Sequence, residues 1–98
     1  MNIHISDAAI EWFKDEMDLV AGDKIKFFSK IYGNSPLQEG FSLGFTKDPD
    51  PINVVVSTEV EGILFFIEEG DLWFFDGHDL YVEYNKDSDE LEFDYKKP

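Results

Sequence analysis

Apolar residues near the start of the chain recur with a helical period. Ile10, Phe13, Met17 and Val20 form one stripe, with Glu11, Lys14, Asp15 and Asp18 on the opposite face, which predicts a long helix from about Asp7 to Val20. Ser6 is an N-cap residue, Asp7 suits the positive end of the helix dipole, and Gly22 is placed to end the helix. Trp12 lies beside the stripe and reads as a widening of the core face. Ahead of the helix, Asn2 to Ile5 reads as a short strand.

Beyond Gly22 the period changes to two. In Lys24 to Tyr32, Ile25, Phe27, Ser29 and Ile31 alternate with lysines and aromatics. Gly33-Asn34-Ser35-Pro36 breaks that run and a loop continues to Gly40, after which Phe41 to Phe45 returns as a strand. Asp48-Pro49-Asp50-Pro51 is a clear interruption, since two prolines remove two ladder donors. Ile52 to Val60 is a β-branched strand, Gly62 marks a bend, and Ile63 to Glu68 is a nearly continuous apolar strand. Phe65 and Phe66 must point to opposite faces, so burial of both requires a sheet covered on both sides, by the helix and by a second sheet or a partner. Asp71 is placed to cap a short helical turn from Leu72 to Phe75. Asp79 to Asn85 and Glu90 to Tyr95 read as a closing hairpin. The expected fold class is α+β, one domain over residues 1–98 with six or seven strands in mostly antiparallel or mixed sheets, one long N-terminal helix and one short helical turn.

Composition narrows the function. Twenty-two acidic against eight basic residues give a net charge of −14, which repels phosphate backbones and anionic membranes, so neither nucleic acid nor membrane is an expected partner. The 16% aromatic content is too high for a disordered chain, and the acidic runs keep such a chain in solution. No cysteine is present, which removes disulfides, thiolate metal sites and a thiol nucleophile. No targeting segment is visible at the N-terminus, and a cytoplasmic protein is expected.

Catalytic motifs are absent: there is no Gly-x-Ser-x-Gly, no Gly-x-Gly-x-x-Gly, no Walker A and no arginine, and the two histidines, His4 and His78, are far apart in sequence. Asn85, Asp87 and Asp89 imitate the start of a calcium loop, but Glu90 and Lys96 stand where its glycine and glutamate belong. Asp76-Gly77-His78-Asp79 places two carboxylates and an imidazole at one turn. Asp76, His78 and Asp79 are therefore the candidate metal ligands, with Asn34 or Glu39 as further neighbours, against the simpler reading of a solvated Asp-Gly turn. The doubled aromatics Phe27-Phe28, Phe65-Phe66 and Trp73-Phe74-Phe75 either fill the core or set one member of each group on an exposed contact surface.

Three stretches resemble the HesB/IscA family of A-type iron–sulfur carriers. Ile5-Ser6-Asp7-Ala8-Ala9 is similar to that family's opening before its helix. Ile25 to Ile31, then Gly33-Asn34-Ser35 and Phe41 to Phe45, resemble its strand, Gly-Cys-Ser-Gly loop and returning strand. Leu72 to Gly77 followed by Leu80-Tyr81-Val82 resembles its later Leu-x-x-Leu-x-Gly and strand. The resemblance implies a HesB-like domain, a role near iron–sulfur cluster biosynthesis and a tendency to pair. Its three cysteine ligands are not here: Asn34 holds the place of the loop cysteine, and Tyr95-Lys96-Lys97-Pro98 stands about where the C-terminal pair begins. Clusters need thiolate or imidazole ligands, so no cofactor is expected.

The expectation is thus a non-catalytic accessory or binding protein on a HesB-like scaffold, with a protein partner that its charge suggests is basic, and with a homodimer compatible with the doubled aromatics. Divalent-metal handling through carboxylates and an enzyme with an unrecognised site are the alternatives.

Overall fold

Ser6 caps the helix as its chemistry dictates, its hydroxyl accepting the amide of Ala9 at 3.1 Å. The computed structural model describes residues 1–98. Its elements run β1 (Ile3–Ile5), α1 (Asp7–Glu16), β2 (Lys24–Lys30), β3 (Ser42–Lys47), β4 (Val54–Val60), β5 (Ile63–Glu68), a 3₁₀ helix (Glu69–Phe75), β6 (Asp79–Asn85) and β7 (Glu90–Lys96). The strands form two mixed sheets, β1-β6-β7 and β3-β2-β5-β4. In the first, β1 is parallel to β6; in the second, β2 is parallel to β5; the other pairs are antiparallel.

This corrects the α+β expectation of a HesB-like domain with one long N-terminal helix. The chain is mostly β, and both helices are short. α1 stops at Glu16 because Asp18 takes the left-handed conformation (φ 54°) and the Leu19 amide donates to the Lys14 carbonyl at 3.2 Å. That six-to-one bond is a Schellman closure, with aspartate where glycine is usual. It turns Leu19 into the core and leaves Val20 65% exposed. The second helix begins at Glu69 rather than Leu72, and Asp71 does not cap it.

The main core lies between the two sheets and under α1. Phe13 of α1 meets Phe27, Phe45 and Phe65 with ring centroids at 6.4, 5.3 and 5.2 Å. Phe93 of β7 reaches Phe27 and Phe45 from the facing sheet at 6.2 and 6.3 Å. Edge-on and tilted ring pairs of this kind add to the stabilisation that burial alone gives. No helix is long and apolar enough to cross a membrane.

Phe65 and Phe66 are both fully buried on opposite faces. The outer face is covered neither by the helix nor by a second sheet. β3 and β4 are the two edges of the four-stranded sheet, so the connection from Lys47 to Val54 must cross it. The Asp48 amide donates to the Lys24 carbonyl (3.0 Å) at the start of β2, and the Ile52 amide donates to Glu68 Oε2 (2.7 Å) at the end of β5. Lys26 Nζ sits 3.4 Å from Asp48 and 3.5 Å from Glu68. Lys26 pairs with Phe66 across the strands, which puts the proline-rich crossing over that ring. The Ile52 amide, with help from Lys26 and against the pull of burial, holds the Glu68 carboxyl below its ordinary value.

Tyr95 of β7 packs on Phe74 and Phe75 (5.9 and 6.2 Å). Burial, with a smaller contribution from Asp94, pushes its phenol up to about 12. The folded state disfavours the ionised form, so this contribution is complete below the unfolded value of about 10 and is lost as pH rises through the folded one. Urea unfolding at about pH 9 and about pH 11.5 should show wild type losing about 1–2 kcal/mol relative to Tyr95→Phe, a range that discounts the shift for partial exposure. No divergence between the two proteins at the higher pH would refute the assignment.

Candidate protein-docking face

The ends of β2 and β5 and the beginnings of β3 and β4 meet at one end of the four-stranded sheet. Eight large apolar side chains of the chain are strongly exposed, and seven lie at this end. Ile31 (73%) and Tyr32 (86%) extend from β2; Ile52 (82%), Val54 and Val55 lead into β4; Leu72 and Trp73 (48%) project from the 3₁₀ helix. Val20 is the eighth, in the connection that enters β2 at the opposite end. Singly exposed apolar residues are ordinary, whereas a gathering of them rimmed by polar groups marks an interaction site.

Local chemistry fixes this arrangement. In the 3₁₀ helix Phe74 and Phe75 are buried in the core, while Leu72 and Trp73 before them stay exposed. Asp71 Oδ1 accepts both the amide (3.1 Å) and the hydroxyl (2.8 Å) of Ser29, tying the helix to β2. Phe41 meets the Trp73 ring edge-on at 5.0 Å, and Gln38 Nε2 donates to the Phe74 carbonyl at 3.4 Å. The Ser42 hydroxyl donates to the Tyr32 carbonyl at 2.7 Å, anchoring Ile31 and Tyr32 beside them. On the other flank the Glu69 amide donates to the Asn53 carbonyl at 2.9 Å. The β4 register shifts between Val54 and Val56, which leaves Val54 and Val55, though adjacent, both outward. Exposed Glu39, Asp50 and Glu69 lie close in sequence to the patch residues, with Lys30 as the nearby base.

The residues singled out in the sequence sit elsewhere or act locally. Asn34 Oδ1 accepts the Gly40 amide at 2.7 Å and so closes its own loop. Asp76 is exposed in a left-handed conformation at the end of the 3₁₀ helix. His78 Nδ1 lies 3.0 Å from the carbonyls of both Phe75 and Asp76. Asp79 is buried, and its Oδ1 accepts the Asn2 amide at 2.7 Å, joining β1 to β6. Glu39 is exposed on the loop, and no three His, Asp or Glu side chains converge anywhere as a metal site would require. Of the doubled aromatics, Phe27, Phe65 and Phe66 fill the interior, Phe28 is half-buried, and Trp73 is the exposed member. Tyr32 and Ile52 were not singled out. The available signal was a large apolar residue directly against a turn, Tyr32 before Gly33-Asn34 and Ile52 after Pro49-Asp50-Pro51.

One recess, of about 270 Å³, opens between α1 and the β6–β7 hairpin. Trp12 and Tyr84 line it with the carboxylates of Glu11, Asp15, Glu16 and Asp89. The Tyr84 hydroxyl donates to Asp89, which with burial raises the Tyr84 phenol above its ordinary value.

No family model matches the chain. The chain is 50% identical over 96 residues to the pyruvate dehydrogenase inhibitor of Bacillus subtilis, covering 98% of this chain and all of that protein. It is also 35% identical to an uncharacterised protein of Staphylococcus saprophyticus, over 95% of this chain and 97% of the relative. An uncharacterised protein of Staphylococcus aureus is 32% identical over 98% of this chain and its own full length. The resemblance to HesB/IscA carriers, with the iron–sulfur role it implied, is corrected by these findings, since the similarity that extends over the full length is to a protein of another name. An inhibitor is a regulator rather than an enzyme, and the expectation of a non-catalytic chain agrees with that. The chain belongs to the family of the Bacillus subtilis pyruvate dehydrogenase inhibitor.

Proposed function

We propose that this protein is a non-catalytic regulator that binds a pyruvate dehydrogenase and inhibits it. The observation that carries this reading is the 50% identity over 96 residues, which cover 98% of this chain and all of the Bacillus subtilis inhibitor. The exposed apolar end supports it, because an inhibitor of another protein needs a surface that holds its target. On this reading the partner is a protein, and the site of action is the cytoplasm, the compartment expected from the sequence.

Purified protein added to purified Bacillus subtilis pyruvate dehydrogenase should lower the rate of pyruvate turnover, saturating as the enzyme is titrated. An unchanged rate at a large molar excess of the protein would overturn the proposal.

A further inference from the structure

Resting on that reading, we infer that the exposed apolar end of the four-stranded sheet is the surface that seizes the enzyme, with Tyr32 and Trp73 as its anchors and an apolar hollow bordered by lysine or arginine as the complementary surface on the partner. Tryptophan and tyrosine are the residue types that most often carry binding energy at protein interfaces, because each buries a large rigid surface at little cost in side-chain entropy. Here both stand at the same end, and neither is enclosed by its own fold: Tyr32 is 86% exposed, and Trp73, met by the rings of Phe41 and Phe74, is still 48% exposed. The ties from Ser29 to Asp71 and from Ser42 to Tyr32 hold the two segments in fixed relation before any partner arrives, so little ordering is left to do on binding.

Charge selects the occupant. The chain carries −14, and the exposed charges close in sequence to the patch residues are three acids, Glu39, Asp50 and Glu69, against one base, Lys30. A second copy docking here about a two-fold axis would bring the same patch, and therefore the same acids, against each other. A target with basic groups around an apolar hollow meets the rim with opposite charge and the centre with apolar surface. Its association rate should fall as ionic strength rises, because rim charges act mainly on the encounter.

The experiment titrates wild type, Tyr32→Ala, Trp73→Ala and Val20→Ser against purified Bacillus subtilis pyruvate dehydrogenase by calorimetry, with light scattering on each protein alone. Tyr32→Ala removes almost no internal contact, so it tests the face even if Trp73→Ala unfolds. Weakening of about tenfold or more in Tyr32→Ala, with Val20→Ser binding like wild type, is the expected result. Wild-type binding that both alanine variants retain overturns this inference and leaves the proposed function standing. Absence of wild-type binding overturns both. A wild-type dimer that Tyr32→Ala dissociates makes the occupant a second copy and also overturns it.

Discussion

Phe13→Ala should destabilise the fold by about 3–5 kcal/mol, the usual cost of removing a fully buried phenylalanine from a core that collapses only partly around the gap. Phe13 of α1 meets three strands at once, through Phe45, Phe65 and Phe27 at 5.3, 5.2 and 6.4 Å, and Trp12 stands against it edge-on at 5.4 Å. Its loss therefore opens a cavity where helix and sheet join, and no neighbour can fill it without leaving its own contacts. Domains of this size are stabilised by about 5–15 kcal/mol in total, so the variant should stand near the edge of folding. A melting temperature lower by about 15–30 °C, read by circular dichroism, is the matching thermal result. A shift of only a few degrees would mean that α1 contributes little to the core.

The strands were legible because their signal is local. A period of two with β-branched and aromatic residues marks β2 and the β6–β7 hairpin, and β5 has the bounds its continuous apolar run suggests. The end of α1 was not legible in that way. Ile10, Phe13, Met17 and Val20 keep a helical period past the true stop, and the stop depends on Asp18 adopting a left-handed conformation that glycine reaches far more easily. Leu19, which the period leaves off the stripe, is the buried residue, and Val20, which the period includes, is exposed. The cover over Phe66 was equally hidden, because it follows from the pairing order of strands distant in sequence rather than from any residue near Phe66.

The docking face shows the same limit. Trp73 was recognisable as an aromatic with a choice between core and surface, but the partition among Trp73, Phe74 and Phe75 follows from a 3₁₀ turn that Asp71 ties to Ser29, forty-two positions away. Ile31 and Tyr32 read as the last residues of a strand, and only the early end of β2 at Lys30 leaves them free. The turn Asp76-Gly77-His78-Asp79 drew attention as chemistry because its residue types match ligands. In the fold each meets a different local demand: Asp76 ends a helix, His78 turns toward two carbonyls and Asp79 secures the amide of Asn2. Residue type alone does not distinguish a ligand from a satisfied structural group.

Gly62→Ala should cost about 2–4 kcal/mol, well beyond what an added methyl group usually does at a turn. Glu61 and Gly62 form the two-residue connection between β4 and β5 with φ of 52° and 80°, the type I′ geometry that matches strand twist. About 1–2 kcal/mol of the cost is the left-handed conformation itself. The remainder comes from contact: a Cβ at Gly62 falls 2.8 Å from the Ala21 Cβ and 3.2 Å from its Cα, and the Gly22 amide donates to the Gly62 carbonyl at 2.9 Å, so backbone would have to move. Gly22 supplies the control within the same contact. Its φ is 99°, yet a Cβ there meets nothing within 4 Å, so Gly22→Ala bears the conformational cost without the collision. Urea midpoints for the two variants should therefore differ, with Gly62→Ala the less stable by about 1–2 kcal/mol. Equal midpoints would show that the turns at Gly22 and Gly62 are not pressed together in solution.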